Sequence, residues 1–440
     1  MRILIYSYHY YPEQQGIAPL ITELAEGLVK RGHNVRVATP IPKLPQMLER
    51  CRGKWFFTEL INGVVVQRSY TWIRPEPTVL DRFLQAISFT FTTFIHTLKG
   101  KRPDVILIIS PPLSVSIPAI LLGWIYRCPV VLNLEDIFPD SAVHLGLLNN
   151  PKLIRLYKSL EKFVYRRASK IIVTTESCVE NLQQKRVREE KIVQIPKWVD
   201  VEFIKPLPKE PNEFRAVHQL NGKFVVMYSG NIPLTTGRST LIETAVRLRY
   251  VPDISIVIVG QENALIDLQQ EEEKNLTHLQ LEIEQSLEEL HVEKELTLKQ
   301  LQLFRDTWQE TNLKLLPFQP REKLPEMLAA ADVALVIQKS NMMDFYMPSK
   351  IPLLMASSRA IVASVPQTGT AAKAIERSES GIVVPPENPN ALAAAILELY
   401  CNSDQVNMLG EKGRHYAAEN YSLEKTLDHY ERLFTHLVRV

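Results

Sequence analysis

At 440 residues the chain is long enough for two or three domains and a sizeable core, and 45% hydrophobic with 23% charged residues is the balance of a soluble globular protein. Cys51, Cys128, Cys178 and Cys401 form no CxxC pair, which argues for a reducing compartment and against a zinc site. No apolar run reaches the roughly 20 residues that span a bilayer, and Arg2 leads directly into a strand-like ILIYSY, so no signal peptide is expected. The formal net charge of +2 is unevenly spread: 262–306 holds twelve acidic and four basic residues, leaving the rest of the chain strongly basic. A basic body suits nucleotide phosphates, lipid phosphates or a membrane surface. No aromatic–basic pattern, zinc finger or other reader of nucleic acid accompanies it, so nucleic acid is not an expected partner. The expected location is the cytoplasm, with the inner face of the cell membrane as a further option.

Arg2 to Ser7 forms the first expected strand; the loop YHYYPEQQG ends at Gly16, and Leu20, Leu24 and Leu28 space a helix up to Arg31-Gly32-His33. Val35 to Thr39 completes a βαβ opening that lacks G-x-G-x-x-G. Ile61 to Arg68 reads as a strand. Leu80 to Leu98 reads as a helix with Phe83, Phe89, Phe91 and Phe94 around it, and two readings stay open for its apolar surface, protein core or bilayer contact. VILIIS is a buried strand with Ser110-Pro111-Pro112 at its carboxyl end, where α/β folds bind ligands.

After the strand Pro129 to Leu134 comes NLEDIFPDS. Glu135, Asp136 and Asp140 sit between a strand end and the helical stretch Lys152 to Arg167, where a carboxylate orients a sugar hydroxyl or accepts a proton. The competing reading has Asp140 or Ser141 as a helix cap. Proline and charge crowd Lys205 to Asn212, which marks the linker and predicts domains over 1–205 and 206–440.

The second domain opens with KFVVMYSGNIPLTTGRSTLIETAVRL, read as strand, glycine turn and helix. Such a turn presents free backbone N–H groups and the positive end of a helix dipole to a phosphate. Between Gln261 and Leu316 there is neither glycine nor proline, and leucines recur at threes and fours. This predicts a helical insertion over 262–306, available for self-association or a protein partner. Strands at Val333 to Ile337, Ala360 to Ser364 and Gly381 to Val384 alternate with helices, including one opened by Pro348-Ser349-Lys350. Closing helices run from Leu409, with packing back onto the first domain as an option. The fold class expected is α/β, two tandem Rossmann-like domains with a cleft between them and a long helical insertion in the second.

Seven segments in this order, YYPEQQG with GLVKRGHNVRVAT, DIFPDSAVHLGLL, PKWVD, YSGNIPLTTG, LPFQPREKLPEMLAAADVALV, MPSK and SGIVVPPENPNALAAAI, resemble a retaining glycosyltransferase of the GT-B fold, family 4, of the colanic-acid and exopolysaccharide type. The resemblance covers nearly all of the chain outside the leucine-rich insertion. It implies transfer of a sugar from a nucleotide-diphosphate sugar, with no cofactor and no metal, to a hydroxyl of a lipid-linked or growing polysaccharide. Asp136, Asp140, Lys350 and Arg238 are the implied catalytic residues. Gly16, Ser229, Gly230, Asn231, Gly237, Pro348 and Ser349 are the implied donor-binding residues, with Lys350 and Arg238 supplying positive charge to the departing diphosphate. The chain departs from the family at Asn231 and Thr236, where many members carry arginine and lysine, and at Phe345 and Leu353, where two glutamates are usual. Ser358, Ala360 and Lys197 also depart from the pattern. Two other readings are therefore kept beside the enzyme: a non-catalytic GT-B scaffold working through the acidic insertion, and a nucleotide-sugar epimerase.

Overall fold

The computed structural model describes residues 1–439 apart from 14–15, 73, 75–78, 233–235 and 271–311. The chain divides into two compact units, Met1–Trp198 with Asn420–Val440, and Val199–Glu419.

The first unit is built on an eight-stranded sheet of order β3-β4-β2-β1-β5-β6-β7-β8. Its strands are β1 (Arg2–Tyr6), β2 (Asn34–Pro40), β3 (Phe56–Ile61), β4 (Val64–Ser69), β5 (Val105–Ser110), β6 (Val130–Leu134), β7 (Lys170–Val173) and β8 (Ile192–Gln194). All neighbours pair in parallel except β3 with β4. β5 and β6 are buried along their whole length, which is why they read as unbroken apolar runs rather than alternating ones. The strand expected over Ile61 to Arg68 is the second arm of a hairpin. Asn62 and Gly63 both take positive φ, +46° and +83°, and turn β3 onto β4. Asn-Gly between two apolar runs is the usual signature of that turn.

The helices of this unit are α1 (Ala18–Lys30), α2 (Pro45–Arg50), α3 (Val79–Leu98), α4 (Ser116–Tyr126), α5 (Asp140–His144), α6 (Pro151–Arg167) and α7 (Glu176–Gln184). α3 places part of its apolar surface in the core: Phe89 is fully buried, whereas Phe91 is 62% exposed.

The second unit carries a six-stranded, all-parallel sheet of order β11-β10-β9-β12-β13-β14. The strands are β9 (Phe224–Ser229), β10 (Ile254–Gly260), β11 (Leu313–Pro317), β12 (Val333–Ile337), β13 (Ala360–Ser364) and β14 (Gly381–Val384). Around them lie α8 (Glu213–Val217), α9 (Arg238–Leu248), α10 (Leu324–Ala329), α11 (Lys350–Ala356), α12 (Thr370–Ser378), α13 (Pro389–Tyr400) and α14 (Ser403–Asn420). A helical segment starts at Glu262; most of the insertion expected over 262–306 lies outside the described residues.

The final helix, α15 (Leu423–Arg439), belongs to the first unit. Its Leu427, Tyr430 and Phe434 enter the core that holds Ile21, Leu24 and Trp198. Each such burial contributes about 1.5–3 kcal/mol. A Cβ on Gly27 would come within 2.7 Å of Leu427, so α1 keeps a glycine at this closest approach. Arg31 at the end of α1 pairs with Glu424, Asp428 and Glu431 at 2.6–2.7 Å.

The units part after Trp198, not near 205. The proline-rich stretch looks like a linker by composition, but its backbone is anchored on the second unit. Arg414 donates to the carbonyls of Val201 and Ile204, and Arg359 to that of Leu207.

Each sheet reverses its winding direction once, between β1 and β5 in the first and between β9 and β12 in the second. The carboxyl ends beside such reversals are where open α/β sheets bind ligands.

Candidate active site

In the second unit, β9 ends at the buried Ser229 and the chain turns at Gly230 with φ +125°, a conformation open in practice only to glycine. The Gly230 N–H stays tied to the Val259 carbonyl at 3.0 Å. The Tyr228 hydroxyl donates to the Asn231 carbonyl at 2.8 Å, and the buried Thr236 hydroxyl lies 3.3 Å from it. Gly237 then caps α9, with the side chain of Ile337 at the end of β12 close beside it. The glycine loop is thereby fixed at both ends against β10 and β12.

Lys350 is the first residue of α11, following the buried Pro348 and the exposed Ser349. Its Nζ sits 3.6 Å from the centroid of the Tyr228 ring. A Cβ placed on Gly230 would lie 3.4 Å from that nitrogen, an ordinary contact, so it is the positive φ and not the ammonium that calls for glycine here. The nitrogen is sealed from solvent and has no hydrogen-bond partner among the described residues. A cation at a helix amino terminus opposes the dipole, and a buried ammonium without an anion is costly. The ring offsets part of that cost through cation–π attraction. What remains is an ammonium whose charge no described residue answers.

Arg238 behaves differently. Its guanidinium is committed to Asp267 at 2.9 Å and to the Ile232 carbonyl at 3.1 Å, which makes it a brace for the loop. Sequence reasoning missed two residues here. Tyr228 was legible only as a strand residue, yet it supplies the ring under Lys350. Gln338, the residue after β12, is 5% exposed and its Nε2 has no partner among the described residues. Beyond it, Ser340 binds Glu387 through backbone and hydroxyl, and these bonds hold the Glu387 carboxyl below its usual range.

In the first unit, Gly16 follows β1 with φ +65° and open space where a Cβ would stand. After β6 the three acidic residues go separate ways. Asp140 is held by Lys185 at 2.8 Å. Asp136 accepts from the Ser141 hydroxyl at 2.8 Å, while its other oxygen is buried and unbonded. Glu135 accepts from the Asn133 amide at 2.8 Å, and its second oxygen lies 3.7 Å from Lys197. The structure thus brings Glu135 and Lys197 together and gives Asp140 a structural partner. Lys197 stands where the resembling family has asparagine; that departure was the signal available in sequence. Glu135 also adds to the effect of burial in raising the Tyr430 hydroxyl well above its usual range.

Among the described residues, no three His, Cys, Asp or Glu side chains converge to hold an ion, and no helix is long and apolar enough to cross a membrane.

Residues 15–198 match the glycosyl transferase 4-like domain and residues 210–416 match glycosyl transferases group 1, leaving only 1–14, 199–209 and 417–440 unmatched. The chain is a GT-B-fold glycosyltransferase. Among its relatives is WcaI of Escherichia coli (strain K12), named as a colanic acid biosynthesis glycosyl transferase. It is 26% identical over 406 residues, covering 90% of this chain and 91% of the relative. WbjE of Pseudomonas aeruginosa, named as a glycosyltransferase, is 26% identical over 78% of each chain. The crystal structure of Anabaena HepE in complex with UDP and glucose shares the fold, with a TM-score of 0.68 at 16% identity over 99% of this chain and 100% of that one. For this glycosyltransferase the scaffold and epimerase readings fall away, since both halves match transferase domains in transferase order.

Proposed function

We propose that the enzyme moves a hexosyl unit from a nucleoside diphosphate sugar of the UDP class to a hydroxyl of a lipid-linked or growing polysaccharide. The transfer proceeds with retention, as in family 4, and without a metal, at the cytoplasmic face of a membrane in exopolysaccharide assembly. The observation that carries the reading is the buried, unbonded ammonium of Lys350 beside Gly230. When the bond from the anomeric carbon to the diphosphate breaks, charge grows on the leaving oxygen. Bound donor already brings Lys350 an anion, and the further charge that grows on it as the bond breaks makes the attraction larger in the transition state than in the ground state. The acceptor oxygen bonds to the anomeric carbon, and its proton passes to the departing diphosphate. Tyr228 holds the ammonium in place, and Arg238 braces the turn after β9 through the Ile232 carbonyl. The name of WcaI, in colanic acid biosynthesis, supports a polysaccharide acceptor, and the UDP complex of HepE supports the donor class.

A thermal-shift screen with UDP, GDP and their sugars in a chelator tests the reading. Ligands that bind the native state raise its apparent stability by mass action, and the UDP series is expected to do so. A well-folded sample that responds to neither series would overturn the donor site.

A further inference from the structure

One buried amide at the carboxyl end of β12 takes no part in the proposed transfer. Gln338 is 5% exposed, and its Nε2 is sealed from solvent without a partner among the described residues. Its backbone N–H is tied to the Ser364 carbonyl at 2.9 Å, so the residue continues the sheet one step beyond β12. Val333, Leu335 and Ile337 enter one core with Tyr228 and Leu241. Strand alternation sends Gln338 to the opposite face, where α11 packs on β12 and β13. α11 opens with Lys350, whose ammonium reaches over the strand ends to within 3.6 Å of the Tyr228 ring centroid. Two sealed donors without partners among the described residues, Lys350 Nζ and Gln338 Nε2, therefore stand at the ends of the paired strands β9 and β12, where the winding of the sheet reverses. Further along the same segment the polar groups are answered nearby, Ser340 by Glu387 and Asp344 by Thr368.

The two groups differ in kind. An ammonium carries a full charge and suits a diphosphate, which only accepts hydrogen bonds. A carboxamide is neutral and joins an N–H donor to a carbonyl acceptor, so it matches a hydroxyl, which also donates and accepts. An apolar group in the same place would leave the buried N–H unsatisfied. We propose that Gln338 is a specificity-determining residue of the donor site, its Nε2 donating to a sugar hydroxyl of the nucleotide donor, on the hexosyl unit or on the ribose. The inference rests on the donor reading above and adds to it a residue that distinguishes sugars rather than charges. A donor without that hydroxyl leaves the amide buried and unpaired, so the site rejects it by more than the strength of one hydrogen bond.

The test is titration calorimetry of the full chain and of Gln338→Met with three ligands: UDP, 2′-deoxy-UDP, and whichever of UDP-glucose, UDP-galactose and UDP-N-acetylglucosamine the parent binds most tightly. Methionine keeps the length of glutamine and removes the unpaired amide, so the melting temperature of the unliganded variant is expected to hold or rise. Gln338→Leu takes its place if that variant does not fold. The variant is expected to bind the UDP-sugar about fivefold more weakly than the parent does. With the hydroxyl on the hexosyl unit, the affinity for UDP stays that of the parent. With the hydroxyl on the ribose, UDP weakens by the same factor as the UDP-sugar and 2′-deoxy-UDP does not weaken. A merely structural role would weaken all three ligands alike, and that result would overturn the inference. So would a variant that binds all three as the parent does. A parent chain that binds none of these ligands sinks the donor reading and the inference with it, whereas a parent that binds them and a variant that matches it sink the inference alone.

Discussion

The carboxyl ends of the two sheets are built alike and charged differently. In the second unit the end of β9 offers a glycine turn and an ammonium with no anion, Lys350 over Tyr228. In the first unit the end of β6 offers carboxylates, and two of the three are answered by cations from within: Asp140 by Lys185 and Glu135 by Lys197, while Asp136 accepts from Ser141 and keeps its other oxygen buried and unbonded. A charged residue at a strand end is therefore a poor guide to chemistry until its partners are known. Of the charges left unanswered, the Lys350 ammonium is the one we propose as the ligand's partner.

The sharpest way to break this contrast is to remove the unanswered cation. Lys350→Met is expected to lower turnover by ~100-fold or more while the melting temperature holds or rises, because a buried charge has gone; initial rates and a melting curve read both. Unchanged turnover would give Lys350 no more standing than the paired residues of the first unit.

Removing an answered cation should show the opposite pattern. Lys197→Met leaves the buried Glu135 oxygen without its partner and is expected to cost about 3 kcal/mol of stability. Adding Glu135→Gln should restore most of it. Denaturant unfolding of the single and double variants measures this, and independent effects of the two changes would mean that the pair is not coupled.

Between these extremes lies Arg238, whose bonds are local. Arg238→Gln is expected to weaken UDP binding about fivefold through a looser loop, with a small change in turnover at saturating donor. A loss as large as that of Lys350→Met would promote Arg238 from brace to ligand.

The smallest effect expected is on the pH profile of stability. Burial, aided by the charge of Lys99, pushes His96 down to about 4. Between about 4 and its ordinary value of 6.5 the unfolded chain binds the proton and the folded one does not. Stability therefore falls as pH drops through that window, and the contribution is complete above it. His96→Gln should flatten this part of the profile in denaturant titrations, and an unaltered slope would assign it elsewhere.

Much of the fold was legible because parallel strands buried on both faces read as plain apolar runs, as in VILIIS of β5. The hairpin was not read, although Asn62-Gly63 announced it. The domain boundary was misplaced because prolines and charges at Lys205 to Asn212 look like a linker, while arginines far along the chain hold that backbone on the second unit. The turn at Gly230 and the place of Lys350 at a helix start were legible from the strand–glycine–helix pattern and from Pro348-Ser349-Lys350. Tyr228, Gln338 and the pairing of Glu135 with Lys197 were not, since each depends on contacts between distant segments.

The most direct test of the account compares UDP with UMP by titration calorimetry on the parent chain and on Lys350→Met. If Lys350 receives the diphosphate, the parent binds UDP more tightly than UMP, and the variant loses most of that difference while its affinity for UMP barely changes. A variant that keeps the full preference for UDP would place the diphosphate elsewhere and contradict the central claim.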